Sequence, residues 1–391
     1  MKQKLLLLLA ALAAMLPARL AARDFTYTYK GQTITYTILS ESSKTCATKA
    51  GYLDYTNRVV RPGNNVSGDL ALPEHPKDGN IEYKLIRISE YSFWDCSSLK
   101  SIEIPKSVTV MEKWAFRGCA NLSEVSISSL ESWCNIDFED ETATPLLFAR
   151  KLLLNGQLLE KLVIPESLSV IKKYTFYRCS HLTGPLTIPN SVTTIGDAAF
   201  KGCSGFTGSL NIPNSVKSIG DYAFEYCDGF TGSLTIPNSV TTIGGAAFAG
   251  CSGLIGSLNI PNSVTSIGGY AFSECTGFTG SLTISTSVTA IGDHAFYNCT
   301  GFNGSLIIPN SVTTIGGYAF AGCSGLIGSL NIPNSVTSIG GSAFAGCSGF
   351  TGNLVISNYV TTIGSSAFEG CSGFNGSLTI PNSVKTIESW A

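Results

Sequence analysis

Thirteen cysteines and three histidines are the side chains of this 391-residue chain that could do chemistry beyond packing. A cysteine can bridge to another in an oxidising compartment, ligate zinc as a thiolate, or attack as a nucleophile beside a base. Nine of the thirteen (Cys179, Cys203, Cys227, Cys251, Cys275, Cys299, Cys323, Cys347 and Cys371) recur every 24 residues. His75, His181 and His294 lie far apart, and the one dyad that sequence proximity suggests is Cys179 with His181. What any of these groups can do depends on the elements that hold them.

Those elements come from repetition. The same 24-residue interval carries Phe200, Phe224 and Phe248, and likewise Ile195, Ile219 and Ile243. A unit this short cannot bury its own apolar side, but stacked copies lay Leu on Leu, Ile on Ile and Phe on Phe in one continuous core. In the copy that begins at Ser209, Leu210 and Ile212 alternate with polar neighbours, as in a short strand with one face inward. Pro213 has no N–H to give a ladder, so Pro213-Asn214-Ser215 is a turn. A second extended piece, Val216 to Ile219, leads to Gly220. The Ala223-Phe224-x-x-Cys227 spacing then predicts one tight helical turn on the opposite side, with Gly229 and Gly232 as corners. The fold class is therefore a repeat solenoid, mainly β with short helical turns, rising about 4.8 Å per coil.

That geometry decides among the chemistries. Cysteines in a parallel stack have parallel Cα–Cβ bonds, which holds their Cβ atoms about 4.8 Å apart, wider than the usual bridge, and a row of nine cannot pair completely. Cys179, Cys203, Cys227 and Cys251 are therefore expected to form, with Phe200, Phe224 and Phe248, a core ladder of free thiols. Zinc needs ligands converging on a point, so no metal is expected. Cys46 and Cys134 stand off the register and are the better candidates for a bridge. His181 reads as a surface residue. No base is oriented, no oxyanion hole is built, and no glycine pattern sits between strand and helix, so neither catalysis nor a cofactor is expected.

The chain divides unevenly. Met1-Lys2-Gln3-Lys4 precedes an apolar run, Leu5 to Leu16, and the small residues Ala18, Ala21 and Ala22, which reads as a secretory signal over residues 1–22 and a secreted or cell-surface product. Residues 23–88 hold a β-hairpin pattern, Phe25, Tyr27 and Tyr29 followed by Lys30-Gly31-Gln32 and Thr33 to Ile38, suited to capping the first coil. The first repeats occupy 89–127. Residues 128–160 form an irregular inserted coil with a short helix near Pro145 to Arg150 and an Asn155-Gly156 hairpin. Regular repeats fill 161–391. The last reads as truncated, since Trp390-Ala391 parallels Trp114-Ala115 where Phe116 follows, and an uncovered coil invites end-to-end self-association.

Formal charge is −2, and from Leu182 onward Lys201, Lys217 and Lys385 are the only basic residues apart from His294. Nucleic acid and anionic membrane both need a basic stripe, so neither is an expected partner. The outward first-strand position reads Thr187, Asn211, Thr235, Asn259, Thr283, Ile307, Asn331, Val355 and Thr379. Such a flat polar ladder could contact a protein or glycan, and it is equally what a solvated strand looks like. Tyr222, Tyr270 and Tyr318 return every second repeat, either as an exposed aromatic patch or as the trace of block duplication.

Ile102-Glu103-Ile104-Pro105-Lys106-Ser107-Val108 and the later Ile-Pro-Asn-Ser-Val segments, all but the last followed by Ala-Phe-x-x-Cys, resemble the BspA-like leucine-rich-repeat family over about residues 88–391. Ser285-Thr286 and Ser357-Asn358-Tyr359 depart from its pattern. The resemblance implies a right-handed leucine-rich-repeat solenoid, and an exported surface protein of Bacteroidetes-type bacteria that adheres to host matrix proteins, receptors or other microbes. Two rival readings are a structural spacer or targeting module for a further domain, and a hydrolase acting through residues 128–160.

Overall fold

Each 24-residue unit closes one coil of a β-solenoid of about 13 turns. The computed structural model describes residues 23–54 and 59–391, so the expected signal segment lies outside the described residues. The side that the Val-x-x-Ile pieces form is continuous. Ser218–Ile219 pairs in parallel with Thr194–Ile195 before it and Thr242–Ile243 after it, and this pattern runs unbroken through ten strands from Val170–Ile171 to Thr386–Ile387. The register between neighbours is one full repeat, so every inward isoleucine meets its own copy.

At the other end this side grows out of a hairpin. β1 (Asp24–Tyr29) and β2 (Gln32–Ser40) pair antiparallel, and β3 (Thr45–Thr48) follows antiparallel to β2. β3 then runs parallel to Lys84–Ile88, which starts the coil-to-coil stacking. Ile34 and Tyr36 of the hairpin are buried there beside Tyr83, in the same core as the first coils.

The first-strand side is not the flat, continuous ladder that the alternation of Leu210 and Ile212 suggests. Leu210–Asn211 pairs with Leu234–Thr235, Leu282–Thr283 with Leu306–Ile307, and Gly328–Asn331 with Phe350–Val355, and pairing stops between Thr235 and Asn259 and between Ile307 and Asn331. The corner glycines explain the gaps. Gly208, Gly280 and Gly328 have φ of +77°, +79° and +82°, whereas Gly232, Gly304 and Gly352 in the following coils do not have positive φ. Pairing breaks where a corner without positive φ is followed by one with it, at Gly232 to Gly256 and at Gly304 to Gly328, whereas successive corners of like kind still allow it, as between Asn259 and Thr283 and between Leu354–Val355 and Leu378–Thr379.

The third side corrects the expected helical turn. Lys201 N–H bonds Ala198 O at 3.3 Å and Cys203 N–H bonds Phe200 O at 3.0 Å, as in tight turns, but Ala198 at φ +50° is left-handed and stops a helix from propagating. The coils are tied to each other instead, by bonds such as Phe200 N–H to Ala223 O at 2.8 Å. Behind this side the phenylalanines stack face to face: Phe248 lies 5.5 Å from Phe224 and 5.4 Å from Phe272, with interplanar angles of 5° and 7°.

Residues 128–160 are woven into the stack. α1 (Leu130–Cys134) is capped by Ser129, whose Oγ accepts from Ser132 N–H, and α2 (Leu146–Ala149) occupies the place where a short helix was expected. Trp133 is buried and its Nε1–H donates to Thr175 O at 2.8 Å. Leu152–Leu154 pairs in parallel with Glu124–Ile127 before turning at Asn155-Gly156. The segment is an enlarged coil that shares the common core.

Candidate binding surface

One position of the turn side repeats an unusual backbone. Tyr174, Ala198, Tyr222, Ala246, Tyr270, His294, Tyr318, Ser342 and Ser366 occupy successive coils, and all are left-handed, with φ between +50° and +61°. Tyr91, Trp114 and Trp390 hold the same conformation in the outlying coils. A residue with a Cβ pays roughly 1–2 kcal/mol there, and glycine would avoid it. The chain nonetheless places tyrosine, tryptophan or histidine at most of these points, and Tyr222, Tyr270 and Tyr318 are 46, 46 and 44% exposed.

The three tyrosines expected as a patch do share one face, and the structure adds His294, which sequence reasoning had set aside. Its imidazole is sandwiched between Tyr270 and Tyr318 at 4.3 and 4.7 Å, nearly parallel to both. Tyr222 stands apart because Ala246 occupies the coil between it and Tyr270. The result is a depression of about 520 Å³ floored by Ala246, Ala249 and Gly250, with Tyr222 and Tyr226 on one side and Tyr270 and Glu274 on the other. Gly250 is needed here: a Cβ on it would lie 2.5 Å from the Tyr226 ring. A second depression, about 550 Å³, is lined by Arg150, Arg178 and Lys201. Two of its cations are already engaged, Arg178 with Leu147 O at 3.4 Å and Lys201 with Glu225 at 2.5 Å.

The polar first-strand positions Thr187, Asn211, Thr235, Asn259, Thr283, Asn331 and Thr379 are all exposed, but they sit on the interrupted side, and exposed Ile307 and Val355 break their polarity.

The cysteines are unbridged. From Cys203 on, each thiol of the regular row donates to the phenylalanine carbonyl of the preceding coil, as Cys251 Sγ does to Phe224 O at 3.1 Å and Cys203 Sγ to Phe176 O at 3.0 Å. Burial pushes these thiols up, Cys251 to about 12, the direction opposite to that of a nucleophile. Cys46 and Cys134, the expected bridge candidates, are separately buried and free, each also raised by burial to about 12.

His181 is half-buried and not the surface residue expected. Its Nδ1 lies 2.8 Å from Arg150 O and its Nε2 accepts from Leu152 N–H at 3.3 Å, so the neutral ring staples the enlarged coil to the first regular one, and burial lowers its pKa. With both nitrogens occupied by backbone, it is not placed to serve Cys179 as a base.

A stack of parallel-stranded coils with a leucine, isoleucine and phenylalanine core and one decorated outer row defines a leucine-rich-repeat solenoid. The family model described as BspA type leucine rich repeat region matches residues 77–144, 150–279 and 276–391, and the chain belongs to that family. Among solved structures it is similar to a leucine rich cell surface protein from Faecalibacterium prausnitzii A2-165, at 24% identity over 92% of this chain and 96% of the other with a TM-score of 0.57. It is also similar to a leucine-rich repeat protein from Bacteroides ovatus ATCC 8483, at 21% identity over 92% and 99% with a TM-score of 0.50. The pneumococcal vaccine antigen PcpA matches at 17% identity over 94% and 95% with a TM-score of 0.51. No curated protein matches the chain. Among the described residues, no helix is long and apolar enough to cross a membrane.

Proposed function

We propose that this chain is an exported, non-enzymatic binding protein that uses its solenoid as a rigid scaffold to adhere to proteins on host or microbial surfaces. The observation that carries this reading is the exposed aromatic row held in left-handed backbone. A spacer gains nothing by placing tyrosine where glycine would be less strained, whereas exposed, rigid tyrosines are the residues that make contact area at recognition surfaces. Similarity to a cell surface protein and to a vaccine antigen supports an exterior location. Weak contacts repeated along one face would add up through multivalency. Glycans at the polar Thr and Asn row belong to the same reading.

The test is solid-phase binding of the purified protein to a panel of extracellular-matrix proteins and glycans, beside a triple variant Tyr222→Gly, Tyr270→Gly, Tyr318→Gly. Saturable binding to a protein of the panel that the triple variant loses is the expected result. Binding no higher than background across the panel would favour the spacer.

A further inference from the structure

Between Tyr174 and Tyr318 the row of left-handed residues contains two alanine gaps, and the structure shows what fills one of them. Ala198 separates Tyr174 from Tyr222, and the Lys201 side chain of that same coil covers the vacancy: its Nζ sits 4.8 Å over the Tyr222 ring and pairs with the Glu225 carboxylate. The second gap, at Ala246, has Ala249 in the place of Lys201, so no lysine of its own coil covers it, and it opens as the depression described above. Its width is set by the coil spacing. Between Tyr270 and Tyr318, also two coils apart, a flat imidazole fits with 4.3 and 4.7 Å to the two rings. Since His294 covers one face of Tyr270 and Lys201 one face of Tyr222, the remaining faces of both are turned to the Ala246 coil. Glu274 is exposed at the rim of this opening.

We propose that the Ala246 notch is a receptor for a guanidinium, the arginine side chain of a partner protein. One internal template is a cation over tyrosine with a carboxylate beside it; the other is a flat ring between two tyrosines. Arginine is the side chain that is both flat and cationic, stacking on aromatic faces while its fork meets a carboxylate. The surroundings favour a positive group: from Leu182 on, eight carboxylate side chains (Asp197, Asp221, Glu225, Asp228, Glu274, Asp293, Glu369 and Glu388) face three lysines. The inference rests on the protein-binding reading and assigns it a chemical anchor.

The experiment uses acetyl-arginine-amide as probe and the full protein with ¹³C-labelled alanine methyls, those of Ala246 and Ala249 reporting from the floor. Saturable shifts of both methyls are expected with acetyl-arginine-amide, and distinctly weaker ones with acetyl-lysine-amide and methyl β-galactoside. Glu274→Gln should weaken the arginine response roughly tenfold. Ala246→Tyr should abolish it at Ala249, since tyrosine already occupies this position in alternate coils; Tyr270→Ala, which removes one wall, provides a second variant should that one fold poorly. The proposal is overturned if the arginine probe gives no saturable shift, if the galactoside shifts the methyls equally, or if Glu274→Gln and Tyr270→Ala leave the response unchanged. A null arginine result beside intact, tyrosine-dependent binding to the protein panel would discard the notch and keep the adhesive reading.

Discussion

Replacing Phe248 by alanine tests whether the solenoid is held together coil by coil. Phe248 is fully buried in the middle of the aromatic stack, with Phe224 5.5 Å away on one side and Phe272 5.4 Å away on the other. Truncating a buried phenylalanine costs about 3–5 kcal/mol in lost transfer energy and cavity. Two ring pairs add about 0.5–1.5 kcal/mol each, so a loss of about 4–8 kcal/mol is expected. In a globular domain that loss would lower the whole molecule. In a one-dimensional stack it falls on the two interfaces around one coil, and coils beyond them are affected only through the break in coupling. Hydrogen exchange read by mass spectrometry separates the cases, as does tryptophan emission in urea. Trp94, Trp114 and Trp133 all lie in the N-terminal coils, and Trp390 is already 83% exposed. The variant should lose amide protection around residues 224–272 and uncouple the coils beyond, while the tryptophan midpoint barely moves. Equal loss of protection from one end to the other, with the tryptophan transition shifted by the full amount, would refute nearest-neighbour coupling.

Three further outcomes follow from particular groups. A thiol reagent at pH 8 should leave the native row untouched except for half-buried Cys371, raised only to about 11, and should titrate thirteen thiols after denaturation; rapid native release of several would contradict the inward geometry. Burial depresses the pKa of both His181 and His294, so the unfolded chain takes up their protons first as pH falls. Stability is therefore complete above about pH 6.5 and declines as the pH drops from there toward the native values, and His181→Ala should flatten part of that decline in urea midpoints taken between pH 7 and 5. Ser366→Gly relieves a φ of +56° and should stabilise the last coils by about 0.5–1 kcal/mol, the strain relieved less the entropy glycine loses; a destabilised variant would mean that the left-handed conformation carries no strain.

The interval between cysteines was enough to read the core, because a stacked solenoid puts identical residues in contact and any 24-residue periodicity of apolar letters must lie inside. The distribution of sheet was harder. Alternation at Leu210 and Ile212 drew attention to the first strand, yet Pro213 ends it after one turn of pairing and the corner glycines flip from coil to coil, whereas Val216 to Ile219 contains no proline or glycine and pairs without interruption. The notch was hidden for another reason. Tyrosine and alanine are both poor formers of left-handed backbone, so no residue type at 222, 246 or 270 announces the conformation that turns those side chains outward. The available signal is the exchange of aromatic for small residues at one register position, Tyr222, Ala246, Tyr270, which in sequence reads either as an aromatic patch or as the trace of duplication and does not mark the alanine as an opening. His181 was missed because its partners are backbone atoms of Arg150 and Leu152, brought to it by a coil of irregular length.

Because each coil touches only the coils above and below, gaining or losing 24 residues leaves every remaining contact as it was and carries everything beyond it along the axis by about half a nanometre. Distance between two surfaces is thus a quantity that such a gene can adjust in small equal steps at almost no thermodynamic penalty. The same event changes which aromatic lies beside which small residue, so slippage in copying would alter reach and recognition together, where a compact enzyme would simply be broken.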